Sequence, residues 1–467
     1  MADKFDLVII GSGNAGYIPA IRASQLGMSV ALIERQEKLG GTCLNWGCIP
    51  TKALLHTAEK LDDIRHGEEL GINATFEFDY AKTAERRDKI VGQLQQGVSG
   101  LMKKNKVKVY NGAGRFVEPK KVAVDGADGT TELEADNVLI AVGSSVSTLP
   151  GLEFDGEKVI SSDDIVQGQD APPESIIILG SGAVGTEFAS MYSDFGTEVT
   201  LVEVLDRIVP LEDPEISEQL TKSFKGRGMK IMTSTKADPS SLDTSGDGVK
   251  LKVEGPDGEQ TLEADKLLVA VGRKTNVEGA GLENTKVQTT DRGIIQVDGH
   301  YQTDEPGVYA AGDVVGGYWL AHAAGHEGIT AVEHMAGEDP MELDQDLVPR
   351  VTFCRPEVAS FGLTRQQAED AGYEVKESKF PFRAIGKALI EGDPNGFFKI
   401  VADAESDLIL GMHAIGPKVT DLISEGVFAK LVEGTPQEIG MAIHPHPALS
   451  EVVGESAMAV DGHAIHF

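Results

Sequence analysis

Residues 6–34 read DLVIIGSGNAGYIPAIRASQLGMSVALIE, and this stretch decides the fold class. An apolar strand runs into the turn Gly11-x-Gly13-x-x-Gly16, a helical stretch follows, and a second apolar strand ends at Glu34. In such a turn the first glycine permits the bend, the second lets the backbone approach a pyrophosphate, and the third lets the helix pack closely. Glu34 can accept a hydrogen bond from a ribose hydroxyl. The stretch predicts a βαβ dinucleotide-binding unit.

The same unit recurs at residues 174–203, which read ESIIILGSGAVGTEFASMYSDFGTEVTLVE. Gly180, Gly182 and Gly185 follow an apolar strand, and Glu203 ends the next strand. The chain is therefore predicted to hold two dinucleotides. A carboxylate at Glu203 favours NAD over NADP, because it repels a 2′-phosphate.

Two further segments, residues 136–145 and 265–276, are apolar strands that end in glycine and read as strands closing each unit. VYAAGDVVGG is predicted to be a strand ending at Asp313. From about residue 346, stretches such as GFFKIVAD and LILGMHAIG predict an antiparallel sheet with helices between its strands. The prediction is an α/β protein with two Rossmann-like units and a C-terminal α+β domain. The expected boundaries are 1–145 with 277–345, then 146–276, then 346–467.

The charge of the chain excludes several partners. Its 467 residues carry 74 acids against 42 bases, a net charge of −32. Such a surface repels nucleic acid and anionic membranes. Because the acids are scattered along the chain, we interpret them as a coat suited to high salt, which screens self-repulsion. An ordinary acidic protein is the alternative.

The N-terminus and the cysteine count indicate the compartment. MADKFDLVIIGSG reads as a strand entering a glycine turn rather than a signal peptide, and no apolar run reaches the length of a membrane helix. Three cysteines are too few for a secreted disulfide framework. We therefore expect a cytoplasmic protein, with Cys354 as an inert, partly buried thiol.

Residues 41–56, GTCLNWGCIPTKALLH, hold the other two cysteines, Cys43 and Cys48. A zinc site needs four ligands and no second cysteine pair exists, so no metal site is predicted. A staple this short restrains little of the unfolded chain, although it stays an alternative. Pro50 suits the first turn of a helix, which places Cys48 where the helix dipole favours a thiolate. The loop between the sulfurs must distort to join them. A redox pair directly after a dinucleotide unit favours a flavin as the electron carrier.

Near the C-terminus, MAIHPHPALSEVVGES places Glu451 five residues after His446. A histidine held by a carboxylate is a general acid–base near neutral pH. A rigid proline turn is the alternative, and the neighbouring thiol chemistry favours the catalytic interpretation.

Taken together, GGTCLNWGCIPTKALL, the two glycine turns, AAGDVVGG, LAHAAGHEG and HPHPALSEVVGESA resemble the dihydrolipoamide dehydrogenases. These are FAD-dependent pyridine nucleotide–disulfide oxidoreductases, and the resemblance covers essentially the whole chain. It implies that Cys43 exchanges with the lipoyl group and that Cys48 forms a thiolate against the flavin. It also implies that His446 is the base, oriented by Glu451 and supplied by the second subunit of a homodimer.

The resemblance further implies the cofactor residues. Lys52 is expected to pair with Glu187 beside the flavin. The residues implied for FAD are Gly11, Gly13, Gly16, Glu34, Gly41, Thr42, Lys52, Gly114, Gly143, Asp313 and Ala321. Those implied for NAD are Gly180, Gly182, Ala183, Val184, Gly185, Glu203 and Gly272.

The implied reaction is oxidation of protein-bound dihydrolipoyl groups with reduction of NAD⁺ to NADH. The implied partner is the lipoyl domain of a 2-oxoacid dehydrogenase acyltransferase, with no nucleic acid and no membrane involved. A related NAD(P)H-dependent reductase of another low-molecular-weight disulfide is the alternative. The first unit is then the FAD domain, the second the NAD domain, and the third the dimerisation domain.

Overall fold

The computed structural model describes residues 3–467. The elements up to residue 146 are, in chain order, β1 (Asp3–Ile10), α1 (Asn14–Gln25), β2 (Val30–Glu34), α2 (Gly41–Asn45), α3 (Cys48–Arg65), α4 (Tyr80–Lys104), β3 (Lys108–Asn111), β4 (Ala113–Glu118), β5 (Lys121–Gly126), β6 (Gly129–Ile140) and β7 (Ser144–Val146). Strands β3, β2, β1 and β6 pair in that order and in parallel, and β5 and β4 extend the sheet in antiparallel fashion. The run Leu7–Ile9 is fully buried, as expected for a parallel strand covered on both faces.

The second unit repeats this plan. Its elements are β8 (Val159–Ile160), α5 (Ser162–Gln167), β9 (Ser175–Leu179), α6 (Ala183–Phe195), β10 (Glu198–Val202), α7 (Pro214–Gly226), β11 (Lys230–Met232), β12 (Lys236–Ala237), β13 (Val249–Gly255), β14 (Gly258–Ala264), β15 (Lys266–Val269) and β16 (Arg273–Thr275). The order β11-β10-β9-β15-β8 makes a parallel sheet, and β12-β13-β14 form a small antiparallel sheet beside it.

The two units are joined by a pair of short strands. β7 and β16 are antiparallel, with Ser144 opposite Thr275 and Val146 opposite Arg273. The expected boundaries at 145/146 and 276/277 fall within and just after this pair, and they stay predictions.

After this crossing the chain returns to the first sheet. β17 (Val308–Ala310) pairs in parallel with β6, and α8 (Ala321–Met335) packs against α1. The prediction that this strand ends at Asp313 was wrong. Gly312 has φ +81°, which takes the backbone out of the extended conformation, and Asp313 begins a 3-10 turn instead.

The C-terminal elements are β18 (Arg350–Thr352), β19 (Glu357–Gly362), α9 (Arg365–Asp370), β20 (Val375–Pro381), α10 (Gly386–Glu391), β21 (Phe397–Asp403), β22 (Ile409–Gly416), α11 (Val419–Leu431), α12 (Pro436–Met441) and α13 (Glu451–Ala459). The five strands form an antiparallel sheet in the order β18-β19-β22-β21-β20. The predicted fold class, with two Rossmann-like units and a C-terminal α+β domain, is confirmed. Within residues 3–467, no helix is both long and apolar enough to cross a membrane.

Candidate active site

The two close cysteines lie on either side of a break between helices. Cys43 is in α2, and Cys48 is the first residue of α3. Trp46 and Gly47 leave the helical conformation between them. A Cβ on Gly47 would lie 2.9 Å from the Thr42 carbonyl oxygen, so only glycine permits this turn. The predicted distortion of the loop is therefore present, and it brings the Cys43 thiol into hydrogen-bonding contact with the Cys48 sulfur.

This contact makes the two thiols unequal. The hydrogen bond donated by Cys43 lowers the pKa of Cys48 to about 7, and the charge of Lys52 adds to the effect, against burial and the charge of Glu187. The same hydrogen bond, together with burial, raises the pKa of Cys43. Since Cys48 also begins α3, the helix dipole favours its negative charge. In the dithiol state, Cys48 is therefore the thiol that ionises first, and Cys43 keeps its proton.

Lys52 is fixed by groups from two other parts of the chain. Its ammonium lies 2.6 and 2.8 Å from the two carboxylate oxygens of Glu187, on α6. The Glu187 carboxylate also accepts a hydrogen bond from the Phe353 amide at 2.9 Å. The Phe353 ring lies 4.7 Å from the same ammonium. Glu187 therefore ties the helix of the cysteine pair to the second unit and to the C-terminal domain.

The backbone atoms of the first glycine turn are packed so closely that there is no room for a side chain at two of the glycines around it. A Cβ on Gly16 would lie 1.9 Å from the Gly11 carbonyl oxygen, and one on Gly41 would lie 2.6 Å from the Gly13 Cα. The start of α2 is therefore packed directly on the turn. Glu34 is 6% exposed at the end of β2, on the same edge of the sheet.

Ser12, which the sequence pattern does not single out, holds Glu34 in place. One Glu34 carboxylate oxygen accepts from the Ser12 amide at 3.0 Å and from its hydroxyl at 2.6 Å. The other accepts from the Gln36 amide at 2.8 Å. The available signal was the shared GSG of the two turns.

The second turn repeats the arrangement. Ser181 donates from its amide at 2.8 Å and from its hydroxyl at 2.7 Å to one oxygen of Glu203, and the Leu205 amide donates to the other at 2.9 Å. Gly182, Ala183 and Val184 are exposed at the start of α6.

The open side of each turn fits a dinucleotide. A Cβ on Gly143, Gly182 or Gly272 would meet no protein atom within 4 Å, so these backbones border free space at the strand ends. Each turn opens a helix, whose amide groups and dipole suit phosphate. The residues present therefore fit the binding of two dinucleotides.

The remaining residues implied for FAD lie around the first sheet. Thr42 follows Gly41 in α2, and Ala321 opens α8. Gly114 lies on β4, where a Cβ would come within 2.8 Å of the Ile10 side chain. Asp313 lies beyond β17 and accepts a hydrogen bond from the Ser144 hydroxyl.

Glu327, on α8, is a second residue that the sequence pattern does not single out. It is 4% exposed, and its carboxylate accepts from the Gly312 amide at 2.7 Å. Burial raises the pKa of Glu327 to about 7, and the charge of Asp313 adds to the shift. Glu327 therefore fixes the turn that presents Asp313. In the sequence, Glu327 stands out only as the acid within the stretch LAHAAGHEG.

His446 and Glu451 form the predicted dyad geometry. The His446 Nδ1 lies 2.8 Å from one Glu451 carboxylate oxygen, and the Ala448 amide donates to the other at 2.9 Å. These hydrogen bonds hold the pKa of Glu451 below its usual value, although burial opposes them. The His446 side chain is 78% exposed, and no hydrogen bond or ion pair among residues 3–467 joins it to Cys43 or Cys48. Within the residues that the structure describes, the dyad is therefore not bonded to the cysteine pair.

Comparisons with known proteins place the chain in a family. Residues 5–328 match the model of pyridine nucleotide-disulphide oxidoreductases, and residues 348–457 match the dimerisation domain of the same family. The chain is 48% identical to the dihydrolipoyl dehydrogenase of Bacillus subtilis and 42% identical to that of Zymomonas mobilis, each over the whole of both chains. It also resembles the crystal structure of LpdA from Mycobacterium tuberculosis, with a TM-score of 0.91 and 27% identity over 98% of this chain and 100% of that one.

The chain belongs to the pyridine nucleotide-disulphide oxidoreductase family. The resemblance to dihydrolipoyl dehydrogenases, the enzyme class and the use of FAD and NAD, all predicted from the sequence, are confirmed. The match to the dimerisation domain indicates a homodimer.

Proposed function

We propose that this chain oxidises dihydrolipoyl groups carried on the lipoyl domain of a 2-oxoacid dehydrogenase acyltransferase and reduces NAD⁺. The observation that carries the proposal is the unequal cysteine pair, in which Cys48 is the more acidic thiol and lies within the influence of the Lys52–Glu187 ion pair. The cysteine pair follows the first glycine turn along the chain. Gly41, the first residue of α2, packs directly against Gly13 of that turn.

The dyad supplies the proton transfers. Because Nδ1 of His446 is bonded to Glu451, Nε2 is the nitrogen free to take a proton from a dihydrolipoyl thiol. In the proposed dimer, His446 of one subunit faces the cysteine pair of the other.

Thiol–disulfide exchange then moves the electron pair. The dihydrolipoyl thiolate attacks the Cys43 sulfur of the Cys43–Cys48 disulfide, and Cys48 leaves as the thiolate. His446, which holds the proton of the first thiol, delivers it to the departing Cys43 sulfur and takes the proton of the second dihydrolipoyl thiol, which attacks the first lipoyl sulfur. Cys43 is released and protonated, and the lipoyl disulfide closes. FAD, when bound, supplies the redox step from the dithiol pair to NAD⁺, which receives a hydride.

The binding roles follow the two turns. In this proposal the first unit, 1–145 with 277–345, holds FAD through Gly11, Gly13, Gly16, Glu34 and the other residues implied for it. The second, 146–276, holds NAD through its glycine turn, Glu203 and Gly272. The third, 346–467, forms the dimer interface.

Three serine substitutions test the function. Cys43→Ser and Cys48→Ser are each expected to abolish NADH-linked lipoamide reduction, because either change removes the disulfide. Cys354→Ser is the matched control: that thiol is 3% exposed, and burial raises its pKa. Substantial lipoamide turnover in either of the first two variants would refute the proposal. Greater activity of the unmodified protein on glutathione disulfide or coenzyme A disulfide would favour the alternative reductase.

We also propose a cytoplasmic location and adaptation to high salt. The net charge of −32 supports the second point, since dissolved ions screen self-repulsion. Thermal unfolding is expected to shift to higher temperature between about 0.1 M and about 2 M KCl. An unchanged or falling midpoint would argue against adaptation.

A further inference from the structure

A chain of three side chains crosses between the two nucleotide units at the paired strands β7 and β16. Arg273 donates from Nε to the Ser144 hydroxyl oxygen at 2.7 Å and from a terminal nitrogen to the Ser144 carbonyl oxygen at 2.9 Å. The Ser144 hydroxyl donates in turn to the Asp313 carboxylate. This series of hydrogen bonds therefore begins in the second unit at Arg273 and ends in the first unit at Asp313, just beyond β17.

The direction of these bonds is fixed by the chemistry of the groups. A guanidinium can only donate, so the Ser144 oxygen is the acceptor of the bond from Arg273. Ser144 has one hydroxyl proton, which is thereby left for Asp313. Ser144 is 5% exposed, so water offers few competing partners. Arg273 consequently sets which way the Ser144 hydroxyl points, and the hydroxyl holds the Asp313 carboxylate.

Asp313 is held from its other side as well. The preceding Gly312 donates its amide to Glu327, and a Cβ on Gly312 would lie 2.9 Å from the Ala15 Cβ of α1. Asp313 therefore follows a turn packed on the helix of the first glycine turn, where FAD is proposed to bind.

Charge gives Arg273 a second effect. Asp163, on α5, feels the charge of Arg273, which opposes the raising of the Asp163 pKa by burial. Glu327 feels the charge of Asp313. Arg273 thus acts on Asp163 through its charge as well as on Ser144 through its hydrogen bonds.

We propose that Arg273, a residue of the second unit, is a positioning residue for the FAD site, acting through Ser144 on Asp313. The inference rests on the proposed FAD role of Asp313. It makes the strand crossing a mechanical link between the two cofactor sites, so that the unit proposed to bind NAD also helps to retain FAD.

The test measures flavin release from the holoenzyme by the rise in flavin fluorescence, well below the unfolding temperature. Arg273→Met is expected to release FAD about tenfold faster or more, because it removes a charge-assisted hydrogen bond from a buried group. Ser144→Ala is expected to act similarly. The double variant is expected to release FAD little faster than either single variant, because both substitutions break the same series of hydrogen bonds.

Two further variants separate positioning from a general loss of structure. Lys274→Met removes the neighbouring exposed cation and is expected to leave the release rate unchanged. Arg273→Lys keeps a charged donor and is expected to release FAD more slowly than Arg273→Met. The visible flavin absorption of Arg273→Met is expected to change in shape before any unfolding.

Any one of four results would overturn the positioning role of Arg273. Arg273→Met could release FAD at the unmodified rate, or Lys274→Met could release it as fast as Arg273→Met. The two Arg273 variants could release FAD at the same rate, or the effects of Arg273→Met and Ser144→Ala could add fully in the double variant. If the unmodified protein binds no flavin, the proposed function itself fails. If it binds flavin and turns over lipoamide while Arg273→Met behaves normally, only the positioning role fails.

Discussion

Cys48 takes its acidity from its neighbours, first the thiol of Cys43 and then the ammonium of Lys52. The sequence predicted its place at a helix start, because proline two residues later suits the first helical turn. It could not predict Phe353, whose amide and ring complete the setting of Lys52, because that residue lies about 300 positions away in another domain.

Lys52→Met is expected to raise the pKa of Cys48 above about 7, because it removes a cation and leaves the Glu187 carboxylate without its partner. The rate of alkylation of the reduced protein, measured against pH, reports this pKa. Lys60→Met, an exposed lysine on the same helix, is the control. An unchanged alkylation profile in Lys52→Met would show that the ammonium does not act on the thiolate.

Glu327 makes stability depend on pH. Burial raises its folded pKa to about 7 from 4.5, so the stability it contributes is fully present below about pH 4.5 and is lost as the pH rises towards 7 and above. Glu327→Gln keeps an acceptor for the Gly312 amide and removes this dependence.

The unfolding temperature of Glu327→Gln relative to the unmodified protein is therefore expected to rise between pH 5 and pH 8. The exposed Glu338 near the same helix gives the control, Glu338→Gln. A difference that stays constant or falls with pH would contradict the assigned protonation.

Among the elements, the glycine turns were the most predictable, because one spacing combines a bend, a close approach and a helix start. The serine of each turn was not predicted, because a serine between two glycines gives no sign of a specific role. Its hydrogen bonds to Glu34 or Glu203 become visible only where the folded strands end. Strand β20 was also missed. Its sequence VKESKFP carries three charges and was not among the predicted strands, yet Ser378 and Phe380 are buried.

Two glycine substitutions should differ in their effect on stability, although each is expected to weaken the binding of one cofactor. Gly182→Ala is expected to leave the unfolding temperature nearly unchanged, since φ is −63° and no atom lies within 4 Å of the new Cβ. It should raise KM for NAD⁺, because the methyl group occupies the approach of the pyrophosphate.

Gly41→Ala is expected to lower the unfolding temperature and to lose FAD. Its φ is +60°, and its Cβ would lie 2.6 Å from the Gly13 Cα. Thermal unfolding and NAD⁺ kinetics check both variants. Normal stability in Gly41→Ala, or a normal KM in Gly182→Ala, would contradict the packing described.

At the scale of the whole molecule, the sequence predicted the fold class and the domain order, but pattern and spacing could not show which subunit supplies the base. The His446 side chain is 78% exposed in one chain, as expected for a group completed by a second copy.

Mixed dimers test this arrangement. A dimer of one Cys43→Ser chain and one His446→Gln chain has one intact site if the dyad acts across the interface, and about half of the wild-type activity is expected. If each chain used its own histidine, both sites would be damaged and the mixed dimer would be inactive. Each homodimeric variant alone is the control.

The most direct test of the account is an anaerobic titration of the purified yellow protein with dihydrolipoamide, followed by visible absorption. A long-wavelength charge-transfer band is expected to grow as two electrons enter, to disappear when NAD⁺ is added with formation of NADH, and to be absent from Cys48→Ser. A colourless protein, or a flavin that dihydrolipoamide does not affect, would contradict the account.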